Sequence, residues 1–406
     1  MTTAITNVRV FDGEKALDAT TVVIDGTRIA AVGGTPPAGA EIIDGTGATL
    51  LPGLIDAHTH SSDGTLATAL RFGVTTELEM QGTNTRDNRS HITGDDTLAD
   101  VRSAGFGITP PGGHPSELIP DDFEFGGPAP DGPMPLMPFS TTPEEAAGFV
   151  PRLVEAGSDY IKFMVDDGSV EGHPGIPMLD QATLDAGVAE AHRLGMLTVA
   201  HTLTVDATRM AVDAGIGGLA HLFMDRPHTA DIIAAIAASG AFVTPCVVLN
   251  ASMMGITAAD LADDPRVGPR LGEAWTTLLR GSYDRYPQGR LADVLASVKA
   301  LHDAGVDLLV GTDAAPFPLP FMAGVAHGAS VHHELRYLVR AGLTPAEALR
   351  AATATPARRF GLTDRGRIAP GLRADLLLVD GDPTTRIDDT LNLCTVWRRG
   401  TPLTIG

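Results

Sequence analysis

Short apolar runs alternate with amphipathic segments through the middle of the chain, the pattern of βα units stacked on a parallel sheet. The pattern predicts strands near 51–57, 74–80, 105–109, 160–165, 196–201, 218–222, 241–247 and 307–311. Eight such runs are the number a closed (β/α)8 barrel needs. The helices between them carry ordinary start signals. Thr142-Pro143-Glu144-Glu145 supplies a cap, a first-turn proline and early carboxylates, and Thr344-Pro345-Ala346-Glu347 repeats it. Gly157, Gly195, Gly215, Gly240 and Gly305 stop helices ahead of strands.

The two ends of the chain read differently. β-Branched runs at 4–10 and 21–24 are punctuated by Asp12-Gly13, Asp25-Gly26 and Asp44-Gly45, which is hairpin patterning. The same patterning returns at 374–379, followed by Asp380-Gly381, and at 393–397. Each end is too short to bury a core separately, so 1–54 and 360–406 are expected to pair as one small β-sandwich beside a barrel of 55–359. Two stretches break the alternation: 110–138, dense in Pro and Gly, and 250–288, which holds Trp275 but no clear strand. Both are expected to be long loops or insertions near a barrel mouth. Phe123, Phe125, Met134, Met137, Met253 and Met254 are candidates for its lining.

Composition narrows the function classes. The chain has 406 residues, 43% of them hydrophobic and 19% charged, enough apolar surface for a large core. A formal charge of -21 argues against nucleic acid or an anionic membrane as partner. Cys246 and Cys394 lie far apart in apolar runs and are expected to be buried thiols. The first residues, MTTAITNVRVFDG, show no basic segment followed by an apolar one, so the expected compartment is the cytoplasm. The expected partner is a small-molecule substrate, and a homo-oligomer is left open.

The candidate chemistry sits at the ends of the predicted strands. In His58-Thr59-His60, residues two apart in extended backbone project to one face, so both imidazoles can reach one metal ion. His201 and His221 close two further strand-like runs, where barrel active sites are built. Asp313 follows LLVGT; a carboxylate there can bind a cation and take a proton from water, or simply cap a turn. Lys162, within DYIKFMV, has three readings: a buried neutral amine that takes up carbon dioxide as a carbamate, a cation for substrate, or a stem lying along the barrel. His173, His228, His327, His332 and His333 are not assigned catalytic roles, and no G-x-S-x-G elbow suggests serine chemistry.

The order HxH, Lys, His, His, Asp, with LPGLIDAHTH at 51–60, Gly311-Thr312-Asp313, the tail GRIAPG at 366–371 and Ala374-Asp375-Leu376, resembles the binuclear amidohydrolase superfamily, in particular its imidazolonepropionase-like and prolidase-like enzymes. The resemblance implies a TIM-like barrel with a composite sandwich. It implies one divalent metal on His58, His60 and Asp313, another on His201 and His221, and carboxylated Lys162 bridging them, zinc being favoured. It further implies hydrolysis by a metal-bridged hydroxide, with Asp313 moving the proton and His114, in Gly112-Gly113-His114, contacting substrate or the developing oxyanion. The chain departs from prolidase-like relatives after His201 (Thr202-Leu203-Thr204) and after His221 (Leu222-Phe223-Met224), which tells against a plain dipeptidase. The expected substrate is an amide such as an N-acyl amino acid or dipeptide-like molecule. A lactone, carbamate or phosphotriester is the enzyme alternative, and a metal-free scaffold or binding module the non-enzyme one.

Overall fold

The computed structural model describes residues 2–118, 137–319 and 322–403. Phe123, Phe125 and Met134 lie outside them. The described chain is an α/β fold in which two antiparallel-rich sheets flank parallel ones.

Both chain ends meet in one six-stranded sheet, ordered Thr401–Leu403, Leu393–Arg398, Leu376–Asp380, Ala48–Pro52, Arg9–Phe11, Ala16–Leu17. Leu376–Asp380 runs antiparallel to Ala48–Pro52, with Leu377 opposite Leu51. The run ADLLLV is apolar at successive positions because it is buried on both faces. Leu376 and Leu378 join a core with Ile5, Ile24 and Trp397, whereas Leu377 and Val379 point into the larger core of the parallel strands. Each fully buried leucine stabilises by about 1.5–3 kcal/mol. A second sheet centres on Thr2–Thr6, antiparallel to Val22–Asp25 and parallel to Glu41–Asp44.

Leu54–Thr59, Val74–Glu79 and Asp100–Ser103 pair in parallel, as do Ile161–Met164, Thr198–His201, Gly218–Ala220 and Phe242–Thr244. Parallel bridges join these two groups: Ile108 with Phe163, Val243 with Leu308, and Thr59 with Ala314. Hydrogen bonds from Leu309 N–H to Val243 O (2.9 Å) and from Ala57 N–H to Val310 O (2.8 Å) continue the link. These pairings are consistent with a TIM-like barrel.

Three expectations need correction or narrowing. The strand placed at 105–109 is instead Asp100–Ser103, and the expected span keeps only isolated bridges at Ile108 and Thr109. Gly105 turns the backbone through a φ of +70°, and a Cβ on Gly107 would collide with Met164 and Lys162. Of the two forms expected for 250–288, loop or insertion, the stretch takes the second, a chain of short helices: Val247–Met253, Ala259–Ala262, Gly268–Leu271 and Glu273–Leu279, with Trp275 buried in their core. Helices of one or two turns are too short to display a 3.6-residue period in sequence. Cys394 is exposed, because Leu393, Val396 and Trp397 take the buried positions of its strand, whereas Cys246 is buried. Met137 is exposed, while Met253 and Met254 are buried. Thr142 and Thr344 cap their helices as expected, Thr344 in a reciprocal box with Glu347. Among the described residues no helix is long and apolar enough to cross a membrane.

Candidate metal centre

The expected side chains converge at the C-terminal ends of the parallel strands. His58 lies at the end of Leu54–Thr59 and His60 just beyond it. His201 ends Thr198–His201, His221 follows Gly218–Ala220, and Lys162 lies within Ile161–Met164. Asp313 is fixed by its backbone, whose N–H donates to His58 O at 2.8 Å. Its φ of +59° is a left-handed conformation that Asp adopts more readily than most residues.

Asp313 is the hub. Oδ1 lies 3.0 Å from His58 Nε2 and 2.9 Å from His60 Nε2, and Oδ2 lies 3.7 Å from His221 Nε2. Burial alone would raise its pKa, but His58 and His221 hold it well below the usual carboxylate range. Burial pushes the pKa values of His58, His201 and His221 down against the pull of Asp313, which favours the neutral imidazole that ligates metal. His60 Nδ1 lies 2.9 Å from the Gln81 carbonyl and donates to it. Its Nε2 faces Asp313 Oδ1, so the ring spans from the Gln81 backbone to the Asp313 carboxylate.

Ring orientation sorts the imidazoles. A nitrogen lone pair lies in the ring plane, so two parallel stacked rings cannot both aim at one ion, whereas crossed rings can. His58 and His60 cross at 62°, and His201 and His221 at 81° with centroids 5.0 Å apart. His58 and His221 stack at 25°, and His114 and His201 at 29°. Donor atoms of His58, His60 and Asp313 lie within 4.8 Å of one another. The sets His58, His221, Cys246 and His114, Glu171, His201 are equally close, but each contains a stacked pair.

Lys162 is 1% exposed, and its Nζ has no hydrogen-bond partner. Burial lowers its pKa to about 8, against the pull of Asp313. His114 stacks on His201 with centroids 4.0 Å apart, and its Nδ1 donates to Glu117 at 2.6 Å. Burial would lower its pKa, but Glu117 raises it above the ordinary imidazole value. Unpartnered buried nitrogens on His58, His221 and Lys162, together with a neutral imidazole and carboxylate donor set, fit divalent cations.

Several supporting residues escaped the sequence reading. Asp56 accepts from Thr312 Oγ1 at 2.7 Å and from the N–H of His58 at 3.2 Å, tying the first and last strands together. The alternation that pairs His58 with His60 extends back to Asp56, so the signal was present. Asp166 lies 3.2 Å from His201 Nε2 and orients that ring, but nothing in its loop distinguishes it from neighbouring Asp167. Of the unassigned histidines, His327 bonds Glu77 at 2.8 Å, and His332 bonds Thr390 and the Phe72 carbonyl; both are structural.

An α/β fold thus gathers imidazoles, carboxylates and a buried amine at its strand ends, a donor set that could hold divalent cations. The chain belongs to the amidohydrolase family, whose profile matches residues 49–403. It is 51% identical over 59 residues to an adenine deaminase of Methanoregula boonei, covering 14% of this chain and 10% of the deaminase. It is 39% identical over 107 residues to an imidazolonepropionase of Deinococcus deserti, a quarter of each protein. The matched stretches thus span a tenth to a quarter of these curated relatives. Over the whole chain the fold is similar to that of a Xaa-Pro dipeptidase crystallised with methionine in its active site, with a TM-score of 0.74, 21% identity, and coverage of 99% of this chain and 100% of that one. The resemblance to imidazolonepropionase-like and prolidase-like enzymes therefore holds.

Proposed function

We propose that the chain is a binuclear metal-dependent hydrolase that cleaves an amide C–N bond of a small molecule, either an N-acyl amino acid or a dipeptide-like substrate. The observation that carries this reading is the crossed orientation of His58 with His60 and of His201 with His221 around an unpartnered Lys162. His58, His60 and Asp313 would hold one divalent cation and His201 and His221 the other. Zinc is favoured by the imidazole and oxygen donors. Lys162 would lie between them as a carbamate: its neutral amine forms an N–C bond to carbon dioxide and releases a proton, leaving an anion with two ligating oxygens.

The cations, when bound, acidify water and polarise the scissile carbonyl. Asp313 takes the proton of the attacking water on its carboxylate and returns it to the leaving nitrogen. His114, with Nδ1 anchored on Glu117, offers its other N–H to the oxygen that gains charge. Asp166 keeps the His201 ring in position. We read the strand pairings as a closed barrel of 55–359, with a sandwich of 1–54 and 360–406, and the centre at its C-terminal mouth.

A screen of N-acyl amino acids, dipeptides and lactones tests this. The expected result is release of an amine from an amide, abolished by a chelator and restored by Zn²⁺ with bicarbonate. Hydrolysis of lactones alone would overturn the amide assignment. No hydrolysis by the metal-loaded protein would remove the enzyme reading.

A further inference from the structure

One buried carboxylate beside this centre is left without a partner. Glu171 follows the strand Ile161–Met164, is 3% exposed, and its Oε2 meets no hydrogen-bond partner. Its neighbours are committed elsewhere. His114 is bonded through Nδ1 to Glu117 at 2.6 Å. Asp166 takes the Gly168 N–H at 2.6 Å and faces His201 at 3.2 Å. Among the described residues, Glu171 forms no ion pair with a Lys or Arg. A third metal ion on His114, Glu171 and His201 is excluded because the two imidazoles are stacked.

A second unsatisfied group faces the same place from another segment. Tyr283 is 7% exposed, and its hydroxyl has no hydrogen-bond partner. Its backbone N–H is fixed on Ser252 Oγ at 2.8 Å. The two segments meet where Arg285 passes Gly172: a Cβ on that glycine would lie 3.8 Å from the Arg285 carbonyl oxygen. The Arg285 guanidinium lies 5.2 Å from the centre of the Tyr283 ring, and its Cδ packs beside Gly172. Buried polar atoms without partners are rare in native proteins and are retained where a ligand completes them. Burial and the neighbouring Asp166, Glu117 and Asp313 raise the Glu171 pKa to about 8, and an ammonium group with its three donors would hold the side chain as the carboxylate, with the phenol oxygen as second acceptor.

We propose that Glu171 is a specificity-determining residue that receives a free amino group of the substrate, with Tyr283 as a second acceptor. The inference rests on the amide-hydrolase reading and narrows it: the substrate is an amide whose acyl part carries a primary ammonium, a dipeptide-like molecule and not an N-acyl amino acid.

The test compares release of the C-terminal leucine from L-leucyl-L-leucine and from its N-acetyl derivative, using the metal-loaded full-length protein. Wild type is expected to favour the free amine by at least about tenfold in kcat/KM, and Glu171→Gln to remove most of that preference through KM, as loss of a hydrogen bond to a charged group does. Metal content of the variant should equal that of wild type. An unchanged preference in the variant, or a wild-type preference for the N-acetyl form, overturns the proposal. Should neither amide be cleaved, the amide reading fails by itself, and calorimetric titration with n-butylammonium against N-butylacetamide still decides Glu171. Wild type should then bind the amine roughly tenfold more tightly than Glu171→Gln does, and equal binding overturns the proposal. If Glu171→Gln does not fold, Tyr283→Phe replaces it, with an expected drop of about threefold in the preference and no drop as the contradicting result.

Discussion

The two ends of the parallel strands both bury clusters of charge, and the clusters are built on opposite terms. At the N-terminal end, Asp100 meets Arg365 at 2.5 Å and Arg373 at 3.0 Å, and Arg398 reaches Asp375 at 3.5 Å. Burial alone would raise the Asp100 pKa, but Arg365, Arg102, Arg373 and Arg398 hold it well below the carboxylate range. Each guanidinium has a carboxylate within 4 Å, so the charges are paired even though Arg373 Nη2 and Arg398 Nη2 lack hydrogen bonds, and the cluster clamps the C-terminal segment onto the parallel strands. At the other end Lys162, Glu171 and the Nδ1 atoms of His58 and His221 have no hydrogen-bond partners. A paired cluster holds the fold, whereas an incomplete one waits for something to bind.

That contrast can be broken residue by residue. Asp313→Asn removes the proton acceptor and should lower kcat about 10²–10⁴-fold on whatever substrate wild type cleaves, with little change in thermal stability. Asp100→Asn should do the reverse. It leaves buried guanidiniums uncompensated and should cost about 3–5 kcal/mol in denaturant unfolding while sparing the turnover of the folded fraction. The same residue sets an acid limit. Its folded pKa lies below the unfolded value of about 3.9, so its contribution is present above that pH and lost as the pH falls toward the folded value. Wild type should therefore lose stability below about pH 4 through Asp100, and Asp100→Asn should lack that component.

His114→Ala sharpens the catalytic side. Loss of one oxyanion donor should cost about 10²–10³ in kcat with less effect on KM; a change confined to KM would make His114 a binding residue only. The smallest effect is expected far from both clusters. Thr344→Ala removes the cap that accepts the Glu347 N–H and should cost about 1 kcal/mol, measured as a shift in Tm with activity intact.

Much of the centre was legible in the chain because its residues sit at strand ends in a repeating order. Period-two projection brought His58 and His60 together, and each later ligand followed a β-rich run. What stayed hidden depends on contacts distant in sequence. The strand Asp100–Ser103 was not placed, since Arg365 and Arg373, which help neutralise its buried Asp100, lie more than 250 positions away. Asp166 and Glu171 gain meaning only from His114, His201 and Tyr283, which arrive from three other segments. The short helices of 247–279 were missed because one or two turns carry no readable period.

The most direct test of the central claim is elemental analysis of metal per chain, on wild type and on Lys162→Ala. About two ions in wild type and fewer in the variant are predicted, since the bridging anion would be lost. No bound metal in wild type, even after incubation with Zn²⁺ and bicarbonate, would contradict the account.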